Sequence, residues 1–105
     1  MRPHGHRSRL PDPPIDRPPL STAYVAPRTP LESTIATIWR DVLGVGGVGV
    51  HDPFFMVGGD SLRAAQIASR VYAAVGIELP LGELLEASTI AGIAVLVSQK
   101  IGAAI

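Results

Sequence analysis

Hydrophobic positions recur at helical spacing in three stretches of this chain. Leu31, Ile35, Ile38 and Val42 form one stripe, with Trp39 open as a further member, and it stops at Gly44. Ala64, Ile67, Ala68, Val71 and Val75 form a second, between Ser61 and Gly76. Ile90, Ile93, Ala94, Val97 and Ile101 form a third, opened by Ser88-Thr89. A short turn of helix after Pro80 holds Leu81, Leu84 and Leu85. No stretch alternates convincingly enough to read as a strand. The pattern predicts an all-α fold: a small four-helix bundle of three main helices and one short one. The seventeen residues from Gly44 to Asp60 are glycine-rich and lack a helical period. A connection that long in so small a domain is usually functional. At least one of Phe54 and Phe55 is expected to pin it to the core.

Local chemistry sharpens the first helix start. Thr29-Pro30-Leu31-Glu32 is a capping-box pattern, with Thr29 as N-cap, Pro30 in the first turn and Glu32 reaching back. Before it, the composition changes. Eight of the ten prolines lie in residues 1–30, as do five arginines against Asp12 and Asp16. Residues 31–105 carry four cations against seven carboxylates, so a net charge of zero hides a basic tail on a mildly acidic domain. Such a tail reads as an extended, solvated tether with polyproline character. It has a single aromatic, Tyr24, and nucleic-acid binding is not expected. His4 and His6 have ligand-like spacing but no further ligands beside them, so no metal is expected. The chain has no cysteine, which excludes disulfides and thiolate chemistry. Its longest apolar run, Ile90–Val97, is far short of a membrane span, and no apolar run follows Arg2, Arg7 and Arg9. The expectation is a cytoplasmic monomer without membrane or nucleic-acid contacts. Met1 and the basic tail favour an independent chain or a subunit end.

The richest motif is Gly58-Gly59-Asp60-Ser61-Leu62, which sets a serine where the loop becomes the second helix. Two glycines remove bulk beside Ser61, and a helix start favours an attached phosphate through its dipole. Taken alone, the motif leaves open whether Ser61 or Asp60 is the N-cap. The string closely resembles the attachment motif of thiolation (peptidyl carrier) domains of nonribosomal peptide synthetases. Other strings resemble the same family. Tyr24-Val25-Ala26-Pro27-Arg28-Thr29-Pro30-Leu31-Glu32 is similar to the lead-in from an adenylation domain, and Ile38-Trp39 to Leu43-Gly44-Val45 to the end of the first helix. Gly76 to Leu81 and Leu84 to Ala94 resemble the third and fourth helices. The likeness spans Tyr24 to Ile101 and divides the chain into a linker (1–28), a carrier domain (29–102) and a short tail (103–105). Asp60 stands where many members have histidine, Pro53 where Asn or Asp is common, and Ser88 where proline is common. Ile15 to Leu20 faintly resembles the last adenylation-domain motif but lacks its lysine, so a remnant there is expected to be inactive.

The resemblance implies a non-catalytic carrier. Ser61 would bear 4′-phosphopantetheine, installed from coenzyme A by a separate phosphopantetheinyl transferase, with Gly58, Gly59 and Asp60 flanking it. The thiol of that arm would carry aminoacyl or peptidyl thioesters between an adenylation domain and condensation, epimerization, thioesterase or tailoring domains. An acyl carrier of a polyketide system is the neighbouring alternative. A sharper rival is the GDSL esterase, because Gly59-Asp60-Ser61-Leu62 spells its motif. That enzyme needs a later histidine and oxyanion donors including asparagine. Here there is no asparagine, the last histidine is His51, and the chain is too short for a doubly wound sheet. A local triad of His51, Asp52 and Ser61 would lack an oxyanion hole. Helix geometry also places Leu62, Ala65, Ser69 and Ala73 opposite the buried stripe, with Gln66 beside them. This small, nearly uncharged face predicts partner recognition through Leu62 and Met56, with Arg63 setting orientation.

Overall fold

The computed structural model describes residues 23–104. The tether residues 1–22, with His4, His6 and the Ile15–Leu20 segment, lie outside the described residues, as does Ile105. Four α-helices follow in order: α1 (Pro30–Leu43), α2 (Ser61–Val75), α3 (Leu81–Ala87) and α4 (Ile90–Ala104). Among the described residues there is no strand, and one turn of 3-10 helix, Phe54–Val57, interrupts the long loop. The all-α bundle of three main helices and a short one is therefore as the periodicity predicts. α1 packs on α2 and α4, and α3 bridges α2 to α4.

Helix boundaries follow from their caps. Thr29 adopts an extended backbone and its Oγ1 accepts the Glu32 N–H at 3.1 Å, with Pro30 supplying the start of α1. Glu32 reaches one residue further back than a capping box requires. Its Oε1 accepts the Arg28 N–H at 2.7 Å, and its Oε2 pairs with the Arg28 guanidinium at 3.0 Å. That pairing lets a carboxylate sit buried, and the hydrogen bond from Arg28 holds its pKa below the ordinary value. α4 starts under Thr89, whose Oγ1 accepts the Gly92 N–H at 3.0 Å. α3 ends on Ser88 at φ 62°, a left-handed conformation that costs an L-residue about 1–2 kcal/mol.

The core forms where the stripes meet. Ile35, Trp39, Ile67, Val71, Ile93 and Val97 are buried, and Leu84 anchors α3 among them. Trp39, left open by the pattern, is wholly buried, whereas Leu31 and Val42 at the stripe's ends are only half-buried. Ile101 departs from its stripe: it stands 40% exposed near the C-terminal end of α4.

The loop is not loose. Val48, Val50 and Phe54 are buried, and Phe54 meets Trp39 edge-on with ring centroids 5.3 Å apart. Three backbone bonds stitch the loop to its surroundings. Val50 N–H donates to Val25 O at 2.9 Å, Ala91 N–H to Val50 O at 2.9 Å, and Phe54 N–H to Ser88 O at 2.7 Å. Asp52 is also buried, its Oδ2 accepting the Gly49 N–H at 2.7 Å. The docked part of the chain thus begins before Thr29, since half-buried Val25 packs on the core. Among the described residues no helix is long and apolar enough to cross a membrane.

Candidate functional site

The loop delivers its end, Gly58-Gly59-Asp60-Ser61, to the start of α2. Phe54 and Val57 share the buried side of the 3-10 turn, as its three-residue period requires, so Phe55 and Met56 face outward, each 59% exposed. Gly58 then reverses the chain at φ 98°, a conformation that side chains disfavour, and its N–H returns to Phe54 O. Gly59 is required for a different reason. A Cβ there would lie 2.5 Å from Phe54 Cε2 and Cζ, in steric overlap with the buried ring. The sequence suggests that both glycines clear space for an approaching macromolecule. The structure ties one to backbone conformation and the other to internal packing.

Asp60 resolves the capping question. Its backbone is extended, its Oδ1 accepts the Arg63 N–H at 2.8 Å, and Ser61 becomes the first residue of α2. The Arg63 N–H bond, followed by ion pairing with the Arg63 guanidinium, holds the exposed Asp60 carboxyl below its ordinary range. Because the cap is filled by its neighbour, the Ser61 side chain is spared that duty. Ser61 is exposed, and its hydroxyl has no hydrogen-bond partner among the described residues. The ideal Cβ position at Gly58 also meets nothing within 4 Å, so the surface is open at that glycine. An exposed, unengaged hydroxyl at the positive end of a fifteen-residue helix suits a covalently attached phosphodiester. The residues present therefore fit the phosphopantetheine group.

The remaining candidates divide by exposure. Leu62 is 68% exposed, and Ala65, Gln66, Ser69 and Ala73 are also exposed along α2. Arg63 is half-buried, its Nη1 folded back to Asp60 Oδ2 at 2.8 Å. Phe55 and Tyr72 join the exposed apolar surface without having been singled out by the sequence. The 3-10 period could have found Phe55, and the helical period of α2 could have found Tyr72. His51 is exposed, whereas Asp52 is committed to the Gly49 turn, and among the described residues no sheet is present to carry an esterase site.

Comparison with known proteins gives the same reading. Residues 33–97 match the family described as the phosphopantetheine attachment site. Surfactin synthase subunit 3 of Bacillus subtilis (strain 168) is 49% identical over 84 residues, 80% of this chain and 6% of that protein. Gramicidin S synthase 2 of Brevibacillus brevis is 46% identical over 80 residues, 76% of this chain and 2% of that protein. The chain thus spans only a few hundredths of the length of these relatives. Among solved structures, one of the phosphopantetheine transferase Sfp in complex with coenzyme A and a peptidyl carrier protein matches with a TM-score of 0.71. The two chains are 43% identical, and the match covers 72% of this chain and 99% of that one. A helical bundle of this order, a serine freed at the start of α2 and a match across most of the bundle place this chain in the phosphopantetheine-attachment family, among the peptidyl carrier domains.

Proposed function

We propose that Ser61 is the residue that takes 4′-phosphopantetheine, and that the chain carries amino-acid-derived cargo within a nonribosomal peptide synthetase system. The observation that carries this reading is the division of labour at the helix start. Asp60 caps α2, and the neighbouring Ser61 hydroxyl is exposed and unengaged. In the attachment step the Ser61 Oγ–phosphorus bond forms as the pyrophosphate bond of coenzyme A breaks. Adenosine bisphosphate leaves, and the hydroxyl proton passes to a base of the transferase. Ser61 needs no base of its own chain beside it, because activation belongs to the partner enzyme. Once attached, the arm supplies the thiol that holds the cargo as a thioester.

The role is non-catalytic. The chain's own residues fix where the arm begins and what surface surrounds it. Met56, Leu62, Ala65 and Gln66, with Arg63 setting orientation, form the contact face for the transferase and the adenylation domain, and for condensation, epimerization, thioesterase or tailoring domains. Their exposure around Ser61 supports this assignment. Incubation with coenzyme A and a broad-specificity phosphopantetheinyl transferase should add one arm, located on Ser61 by peptide mass analysis and lost in Ser61→Ala. Label on another serine, or none with several competent transferases, would overturn the reading. Ester hydrolysis by the unmodified protein that vanishes in Ser61→Ala would instead favour a hydrolase.

A further inference from the structure

The Asp60–Arg63 pair encloses the attachment residue. Arg63 donates its backbone N–H to Asp60 Oδ1 at 2.8 Å and its Nη1 to Oδ2 at 2.8 Å, with Ser61 lying within the span that these bonds close. In the unmodified protein the charges balance, one carboxylate against one guanidinium. Along α2 the next cation is Arg70, seven residues further and about 10 Å away along the axis, where salt screens it strongly. A phosphodiester on Ser61 adds a permanent negative charge one residue from Asp60. Two anions then face one guanidinium. Arginine has five N–H donors in a planar fork and can bond two oxygen acids at once, which a single carboxylate does not exhaust.

We propose that Arg63 is a shared counter-ion, a positioning residue that on modification divides its guanidinium between the Asp60 carboxylate and the Ser61 phosphodiester. This inference rests on Ser61 being the attachment residue. The phosphate is thereby held against the first turn of α2, so the root of the arm is fixed while its length stays free. The same step weakens the Asp60–Arg63 pair, because repulsion between the two anions and competition for one cation act in the same direction. An arginine that merely decorates the surface would be indifferent to the modification.

The test is a thermal-unfolding cycle on unmodified and modified protein, each as wild type, Arg63→Gln, Arg63→Lys and Asp60→Asn. Mass analysis first establishes that the label is on Ser61. At low salt, Arg63→Gln should lower the midpoint of the modified form by about 1–4 °C more than that of the unmodified form. That excess should shrink near 1 M salt and be largely retained by Arg63→Lys. Asn also caps helices, so Asp60→Asn leaves the cap but frees the guanidinium. It should lower the midpoint of the unmodified protein, and lower that of the modified protein less or raise it. Equal losses in the two forms, with Ser61 labelled, would overturn the sharing alone. Absence of label on Ser61 would overturn the attachment reading and this inference with it.

Discussion

Gly59→Ala tests whether the loop before Ser61 is set by internal packing. The added Cβ would stand 2.5 Å from Phe54 Cε2 and Cζ and 2.6 Å from Cδ2. Carbon atoms in contact prefer about 3.5–4.0 Å, so the overlap is about 1 Å. The ring has nowhere to go. Phe54 is wholly buried, edge-on to Trp39 at 5.3 Å and to Phe55 at 5.5 Å, and the Gly59 N–H is tied to Phe54 O at 3.0 Å. Overpacking of this kind costs about 1–3 kcal/mol. For a domain of this size that is a fall of roughly 5–20 °C in the thermal midpoint. Phe54→Leu removes the ring, so the double variant should be less destabilised than the sum of the two singles, by at least about 0.5 kcal/mol. Gly58→Ala is the control. Its Cβ meets nothing within 4 Å, but its φ of 98° strains any side chain, so its cost should be unaffected by Phe54→Leu. Thermal and urea unfolding of the wild type, the singles and the doubles decide the matter. A midpoint for Gly59→Ala within about 1 °C of wild type, or strict additivity with Phe54→Leu, would refute the packing argument.

Three further outcomes are expected. Leu62→Asp should change stability by no more than about 0.5 kcal/mol, since Leu62 is 68% exposed, while the rate of thioester formation by the adenylation partner falls sharply. An unfolded variant, or normal loading, would remove Leu62 from the contact face. Glu32 has a folded-state pKa below its ordinary value because Arg28 hydrogen-bonds it, so its contribution is fully present above the unfolded pKa. That contribution is lost as pH falls through the lower folded value, so the gap in thermal midpoint between wild type and Glu32→Gln should narrow as the pH is taken from neutral to below the ordinary carboxylate range, and a gap that stays constant would refute it. A chain beginning at Thr29 should melt below one beginning at Ala23, because it loses the Val50–Val25 backbone bond and the Arg28–Glu32 pair. Identical melting would show that residues 23–28 are only a tether.

The helices were legible because their signals are local. Thr29-Pro30 fixes one start, Gly44 and Gly76 fix two ends, and the stripes on α1, α2 and α4 together name more than half of the buried apolar residues described. What the pattern could not resolve was decided by neighbours distant in sequence. Trp39 sits at the margin of its stripe, and its ring contact with Phe54, fifteen residues on, lies outside the reach of helical periodicity. Val48 and Val50 carry no helical period. The loop that buries them is held by backbone bonds from Val50 to Val25 and Ala91, which are far apart in sequence. The choice between Asp60 and Ser61 as cap is equally silent in composition, since both residue types cap well. Arg63 tips it by giving Asp60 a second, ionic bond that the neutral Ser61 hydroxyl could not form.

If Ser61 takes the arm as proposed, these details explain how a serine without a catalytic neighbour serves as a specific site. Specificity of position needs rigidity up to Asp60, and the structure provides it through a buried ring, a reversed glycine and a charged cap. Specificity of partner needs the opposite, side chains left uncovered around the same point, and Met56 and Leu62 are uncovered. The two demands meet between Asp60 and Ser61. Exchanging their roles, with the serine capping and the aspartate exposed, would preserve the helix but occupy the hydroxyl. With Ser61 proposed as the attachment residue, the order of those two residues decides whether its hydroxyl is available. Asp60→Ser combined with Ser61→Asp keeps the composition and a competent cap, and it isolates that order as the variable.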